Sequence, residues 1–479
     1  MTRREAGHMA GEEGRKPNHT RHPSVAPSLA RKLGVFPATN LVIANMIGAG
    51  IFTTSGLLMQ ELGNPLLMIG LWAGGGVLAL CGALCYGELG AAMPRAGGEY
   101  VYLGELFHPI LGFLTGWVSF FVGFSAPLAA SSLGCSEYLA EAFPELVGWG
   151  NPDLLKKALA IVVIAALGAV HLRGIEFGAR IQNWLTVGKV LLIVGLVVVG
   201  FAVGQGSLSH FAVDPVTPAP SDPAQLTDSF SPASPGGLKA IALSLMWIMF
   251  AYTGWNASAY IGSEIENPGR SLPLSLLIGT SIVLLLYLSL NVLFVFAIPP
   301  GEMHGVIAVG ALAASRLFGG AMETTVSTLI AFALLSSISA IILLGPRVYY
   351  AMARGGYFFR FVGDVHPLSR VPSKSILLQC AIAAIMVMSG TFDQILTYMG
   401  FCLGIFPIVA VLGVFKLRRS GAGKYRMPGY PIPPVVFSVV SVLMLVLAYF
   451  ERPVESSVAL ATVGLGLPFY FLFRKASSR

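Results

Sequence analysis

The sequence predicts an all-α polytopic membrane protein of about twelve transmembrane helices, and three observations carry that expectation. Of 479 residues, 55% are hydrophobic and 11% charged, where an ordinary soluble domain carries about 25% charged residues. Apolar runs of about 20 residues, long enough to cross a hydrocarbon core, recur along the whole length, so the membrane domain is one unit and not an anchor on a soluble body. Of the 30 Lys and Arg, 24 fall in the tails and alternate connections, five in the other connections and one, Lys189, inside a span. That asymmetry sorts loops to the two sides of a bilayer.

Residues 1–34 are polar and basic (Arg3, Arg4, Arg15, Lys16, Arg21, Arg31, Lys32) and lack the apolar region of a signal peptide. They read as a disordered cytoplasmic tail, in which Asn18-His-Thr20 is a glycosylation sequon by pattern only. Residues 35–475 read as a single transmembrane domain. Spans are expected at 37–60, 66–92, 109–140, 155–173, 178–203, 238–262, 273–298, 321–351, 374–390, 393–416, 433–450 and 455–473. An even number puts both termini on one side, and the basic tail assigns that side to the cytoplasm. The connection 205–236 is rich in Pro, Ser and Asp, has no Lys or Arg, and reads as a loosely ordered outer loop. The net charge of +7 therefore reflects orientation in a bilayer, not nucleic-acid binding. Five cysteines lie in or beside spans and form no disulfide framework. Cys81 and Cys85 share a helical face, but two thiols without a third ligand point to packing, not metal.

One stretch of the first span departs from a plain membrane helix. Ile43-Ala-Asn-Met-Ile-Gly-Ala-Gly-Ile-Phe52 places Gly48 and Gly50 near mid-depth. Glycine lets a backbone leave helical geometry cheaply, and an opened backbone in hydrocarbon is tolerated only where it lines a cavity or is buried in protein. A break there exposes N–H groups of the following half-helix and carbonyls of the preceding one. Such groups can hold the two ends of a zwitterionic amino acid; the competing reading is close helix packing. The sixth span repeats the feature in Phe250-Ala-Tyr-Thr-Gly-Trp-Asn256, where Gly254 follows Gly48 by 206 residues and five spans. Repeats of five spans have opposite topology, so 35–204 and 237–418 form an expected inverted pair, with accessory helices over 433–475.

Lys189 sits in an apolar segment, and a mid-membrane lysine costs roughly 2.5–3.5 kcal/mol on insertion scales, which makes it a functional candidate. Its ammonium could replace a coupling cation at the first break and exchange a proton during a cycle; the alternative is an interfacial lysine with a buried stem. Ser336, Ser337 and Ser339 are hydroxyls at depth that bond their own helix or face Lys189. Asn45 and Asn291 fit either helix–helix bonding or site lining. Phe250, Tyr252, Trp255, Tyr398 and Phe401 are aromatics near the expected cavity, and Phe250 flanks the second break, where a ring could cover a ligand. Glu88, Glu264 and Glu266 stand at cytoplasmic span ends and read as loop anchors. The eight His lie in tails, loops or span ends, no span interior holds an acidic cluster, and no GxxxxGK[ST] loop occurs. These absences argue against an intramembrane enzyme, a metal site and ATP hydrolysis; no cofactor is implied.

Four motifs together resemble a known family. Gly48-Ala-Gly-Ile-Phe52, Pro94-Arg-Ala-Gly-Gly-Glu-Tyr100, Phe250-Ala-Tyr-Thr-Gly-Trp-Asn256 and Glu266-Asn-Pro-Gly-Arg270 with Pro273 are similar to motifs of the amino acid–polyamine–organocation superfamily of secondary transporters, in its branch of L-type transporters and bacterial permeases. The likeness covers about residues 33–475. It implies five-plus-five inverted repeats with discontinuous helices 1 and 6. It further implies that a substrate carboxylate binds N–H groups around Ala49, Gly50 and Ile51. The ammonium would bind carbonyls of Met46, Ile47, Phe250 and Ala251, with Phe250 as gate. Gly48, Thr253 and Gly254 complete the expected substrate-binding set. Lys189 matches a lysine at a sodium-like position in sodium-independent members, and Ser337 resembles its partner. Ala49 stands where serine is often found and Thr253 where glycine is frequent, and both bear on substrate size. The outer connection 141–154 lacks the cysteine by which animal relatives join a heavy subunit, so no such disulfide-linked partner is expected.

The expected function is sodium-independent transport of amino acids by alternating access, as an exchanger or proton symporter. Neutral substrates are favoured because no carboxylate is visible at cavity depth. The rivals are a cationic amino-acid or polyamine carrier and a non-transporting membrane sensor.

Overall fold

The computed structural model describes residues 31–212, 237–306, 309–389, 392–421, 423, 425–451 and 453–477. The tail to residue 30, with its sequon, and most of the connection read as a loose outer loop lie outside the described residues, as does the side chain of Tyr398.

The first span is two helices, α1 (Val35–Met46) and α2 (Gly50–Leu62), the second ending on Gly63 in a left-handed conformation. After it come α3 (Pro65–Ala92), the short α4 (Glu99–Leu106), then α5 (Pro109–Val118) and α6 (Ala126–Ala142) joined through a π-helical segment, Ser119–Ser125. Next follow α7 (Pro152–Leu172), α8 (Ile175–Val203), α9 (Leu238–Ala251) and α10 (Pro268–Ala297). The remainder is α11 (Pro300–Met303), α12 (Val309–Phe318), α13 (Glu323–Arg354), α14 (Ser373–Ser389), α15 (Phe392–Arg419), α16 (Ile432–Glu451) and α17 (Pro453–Ser477). Starts follow local chemistry. Asn64 and Asn151 accept from backbone N–H groups of α3 and α7, each with proline as the first helical residue.

Among the described residues, ten helical stretches are long and apolar enough to cross a membrane, and the shorter apolar helices α9 and α14 fall where the sixth and ninth spans are expected. Three differences from expectation have physical reasons. The sixth span is helical only to Ala251; beyond the break the chain makes the 3₁₀ turns Ala257–Tyr260 and Gly262–Glu264 instead of a second α-helical half. The connection after α10 contains α12, which at 10 residues is too short to cross. The connection after α3 folds into α4 and is tied to the post-break segment by Gly97 N–H donating to the Tyr260 carbonyl.

Burial separates centre from rim. Of the core window of Val35–Leu62, 83% is buried, and of Thr324–Arg354 78%, against 22% for α7, α8 and α17. The broken first span therefore lies in the middle of the bundle, flanked by α10 and α13. Two carboxylates anchor the basic face as expected. Glu264 takes a bidentate pair from Arg347 of α13 at 2.9 and 3.2 Å. Glu88 accepts from Arg418 at 2.8 and 2.7 Å and from the Met427 N–H. Glu266 is exposed, and only its backbone N–H takes part, donating to Leu33.

Candidate functional site

The first break occupies Ile47 to Ala49. Ile47 leaves helical geometry (ψ 83°) and Gly48 N–H folds back onto the Met46 carbonyl at 2.8 Å. No side chain caps α2, so its leading N–H groups, with the positive end of the helix dipole, face the gap. The second break follows Ala251, with Thr253 N–H on the Phe250 carbonyl at 3.0 Å and Gly254 at φ 98°.

The two breaks touch, and two glycines allow it. A methyl group on Gly50 would lie 2.9 Å from Ala251 Cα, and one on Gly254 would lie 2.3 Å from Asn45 Nδ2. Between them is a pocket of about 40 Å³. Met46, Gly48, Ala49, Gly50, Phe250, Ala251, Thr253 and Ser337 line it, so the structure gathers most of the expected set at one place. Ile47, Ile51 and Gly254 are not in its wall. Ile47 points its carbonyl at Lys189, Ile51 is fully buried in the core, and Gly254 borders a neighbouring pocket. Asn45, one of the two asparagines expected either to line the site or to bond helices, is in the wall, and Pro127, Ala130, Ser131 and Ile341, which no motif announced, complete it.

Lys189 is fully buried. Its ammonium donates to the carbonyls of Ala44 at 3.1 Å and Ile47 at 2.7 Å and to Ser337 Oγ at 2.8 Å, which uses its three donors. The interfacial alternative is thereby excluded. Ser336 instead joins Gln182 and Thr186, and Ser339 meets His171 at 2.8 Å. Asn291 binds Ser55 at 2.6 Å and serves helix contact.

Sequence reasoning missed Tyr287 of α10. Its hydroxyl lies 2.6 Å from the Met46 carbonyl and 3.0 Å from that of Ala251, bridging the two breaks. A lone tyrosine in an apolar run was the available signal, since a buried phenol takes a hydrogen-bond partner. Its presence alters the expected ammonium site. Met46 already accepts from Gly48 N–H and Tyr287, Ile47 from Lys189 and Ser337, and Phe250 from the N–H and hydroxyl of Thr253. With two lone pairs per carbonyl, Ala251, which shares the one Tyr287 hydroxyl hydrogen with Met46, is best placed to take a further donor. Of the other aromatics, Phe250 faces the pocket, Tyr252 bonds the Trp72 carbonyl at 3.1 Å, Trp255 packs edge-on to Tyr86 and Phe401 packs near Tyr449.

A second pocket, of about 90 Å³, shares Asn45, Pro127, Thr253 and Ile341 with the first and reaches Glu99 at the start of α4. Tyr86 donates to one Glu99 oxygen at 2.6 Å and Asn256 at 2.8 Å, while Thr115 donates to the other at 3.2 Å. Burial raises this carboxyl above the usual range, against the pull of its donors. The expectation that no carboxylate stands at cavity depth is thus overturned. Glu99 sits in a connection by sequence and is carried inward by the fold of α4.

Two unwound membrane helices, with bared peptide groups facing across a pocket and an ammonium fixed on one of them, define a carrier of the discontinuous-helix class. The chain belongs to the amino acid permease family, which matches residues 33–467, and so is a transport protein and not an enzyme. It is 29% identical to the human b(0,+)-type amino acid transporter 1, over 93% of this chain and 88% of the relative. It is 28% identical to the serine/threonine exchanger SteT of Bacillus subtilis, over 93% and 98%. Against the human large neutral amino acids transporter small subunit 2 the identity is 26%, over 93% and 81%.

Proposed function

We propose that the protein is a sodium-independent carrier of amino acids, with neutral L-amino acids favoured, that works by alternating access as an exchanger or proton-coupled symporter. The observation that carries this reading is the Lys189 ammonium on the Ala44 and Ile47 carbonyls. A cation is built into the position where a carrier of this class would otherwise bind one, so none need be supplied from solution. The substrate carboxylate would take the N–H groups of Ala49, Gly50 and Ile51. Its ammonium would meet the Ala251 carbonyl, and more of the Met46, Ile47 and Phe250 carbonyls if their present donors move, with Phe250 closing over it. The repeats 35–204 and 237–418 would supply the two halves that move, the 433–475 helices staying peripheral. Both termini would lie in the cytoplasm, and the outer connection 141–154, without cysteine, would bind no disulfide-linked partner.

Neutral preference is supported by the pocket between the breaks, whose lining contains no acidic side chain, and by the relatives named for serine/threonine and large neutral amino acids. Glu99 in the adjoining pocket favours a second reading, transport of cationic amino acids or polyamines. Uptake of a labelled amino-acid and polyamine panel into proteoliposomes, with and without preloading, sodium or a pH gradient, separates these. Binding without flux would instead mark a sensor. Lys189→Ala is expected to abolish both uptake and counterflow while the protein still reaches the membrane. Normal fluxes in that variant would remove Lys189 from the mechanism.

A further inference from the structure

The second pocket has no assigned part in grasping the two ends of an amino acid, yet it mixes polar and apolar groups around a buried acid. Glu99 is 5% exposed, and its three hydrogen-bond donors, Tyr86 on α3, Thr115 on α5 and Asn256 after the second break, are all neutral. The titratable groups turned toward it are likewise neutral phenols: Tyr86, Tyr102 of α4 and Tyr260 of the 3₁₀ turn. Nearby cations are engaged elsewhere. Arg95 pairs with Glu105, Arg347 of α13 with Glu264, and Arg418 of α15 with Glu88. From α15 the pocket receives Cys402 and Phe406, and from the π-helical segment Ser119 and Phe124. A buried carboxylate without a counter-cation is costly as an anion and much less so as a neutral acid.

Its donors belong to three separate pieces of the bundle, and one of them, Asn256, lies two residues beyond Gly254. Glu99 thus joins the element that grasps substrate to α3 and α5 on the basic face. A few waters fit in a polar space of this size, and the pocket shares Asn45 and Thr253 with the substrate pocket.

We propose that Glu99 is a proton-binding site that couples proton movement to closure of the cytoplasmic half of the carrier. This inference rests on the transport reading above. With the three elements packed together, the carboxyl is shut off from bulk water and holds the proton. When they part, water solvates the carboxylate and the proton leaves to the cytoplasm. A proton taken up through the substrate side and released on the other accompanies each substrate inward, with no other group gained or lost. The alternative occupant is the cationic head of a substrate. It is disfavoured because Tyr86 and Asn256 already hold one carboxylate oxygen closely, and a fixed ammonium or guanidinium would have to displace such donors.

The test uses the full chain in proteoliposomes, with labelled serine, leucine and lysine as probes and a pH-sensitive dye inside. For the wild type, an acidic exterior should speed uptake several-fold and acidify the lumen in step with substrate. In Glu99→Gln, uptake should become independent of pH and the dye silent. Should that variant fail to fold, Tyr86→Phe serves: removing a donor to the ionised form should move the pH midpoint of uptake upward. Wild-type flux insensitive to pH, or a pH response retained in Glu99→Gln or unmoved in Tyr86→Phe, overturns the inference and leaves the transport reading standing. Loss of lysine uptake alone, with the pH response kept, assigns Glu99 to a substrate side chain and also overturns it. Absence of any flux or counterflow in the wild type overturns the transport reading and this inference together.

Discussion

Three glycines that look alike in the sequence divide by what surrounds them. Gly50 and Gly254 permit the breaks to touch, and Gly254 also needs its positive φ. A side chain on Gly48 meets only the Met46 carbonyl at 4.0 Å and would project toward the pocket. Gly254→Ala is therefore expected to cost about 1–3 kcal/mol from strain and overpacking, read as a lowered melting temperature in detergent. Gly48→Leu should keep the melting temperature near wild type and lose substrate binding, measured by ligand-induced thermal shift. A large loss of stability in Gly48→Leu would return that residue to packing alone. Packing and function both claimed the motif at the level of sequence. In the structure Gly50 and Gly254 sit at close backbone contacts, while Gly48 lines the pocket with space around it.

At the scale of elements, the fold replaces broken helical bonds with partners from elsewhere. Lys189 of α8, Ser337 of α13 and Tyr287 of α10 supply donors to the carbonyls left bare at the ends of α1 and α9. The basic end of α13 is held to the post-break segment by Arg347 and Glu264, exposed by 1% and 0%. Removing one partner of such a pair strands a buried charge at a cost of about 3–5 kcal/mol. Arg347→Ala should accordingly unfold at markedly lower temperature, and Arg347→Met combined with Glu264→Gln should recover much of the loss. If the single variant were as stable as wild type, the pair would not be closing that face. The sixth span shows the limit of periodicity. An apolar run to residue 262 reads as helix, but beyond Ala251 hydrogen bonding to neighbouring segments outweighs propensity.

For the whole molecule, the proposed direction across the bilayer rests on the distribution of basic residues. Cysteines placed at Ser420, in the basic connection after α15, and at Ser209, after α8, test it. A membrane-impermeant thiol reagent applied to intact cells should label Ser209→Cys and not Ser420→Cys; the reverse pattern would invert the proposed orientation. Background should be low, since the five native cysteines are buried or partly buried. The same view accounts for the many exposed apolar side chains of α7, α8 and α17, while the first span and α13 carry the small and polar residues of the centre.

Sequence alone determined the class, the approximate places of most spans, the two unwinding points and the buried lysine. These follow from local quantities: hydropathy over a bilayer's width, helix-breaking residues and the cost of a charge in hydrocarbon. Tertiary structure decided which carbonyl takes which donor, that Tyr287 spans both breaks, and that Glu99 turns from a connecting loop into a pocket wall. Those facts depend on different elements meeting within about 3 Å, as when Asn256 reaches the Glu99 carboxylate from 157 positions away, and no local pattern records such a meeting.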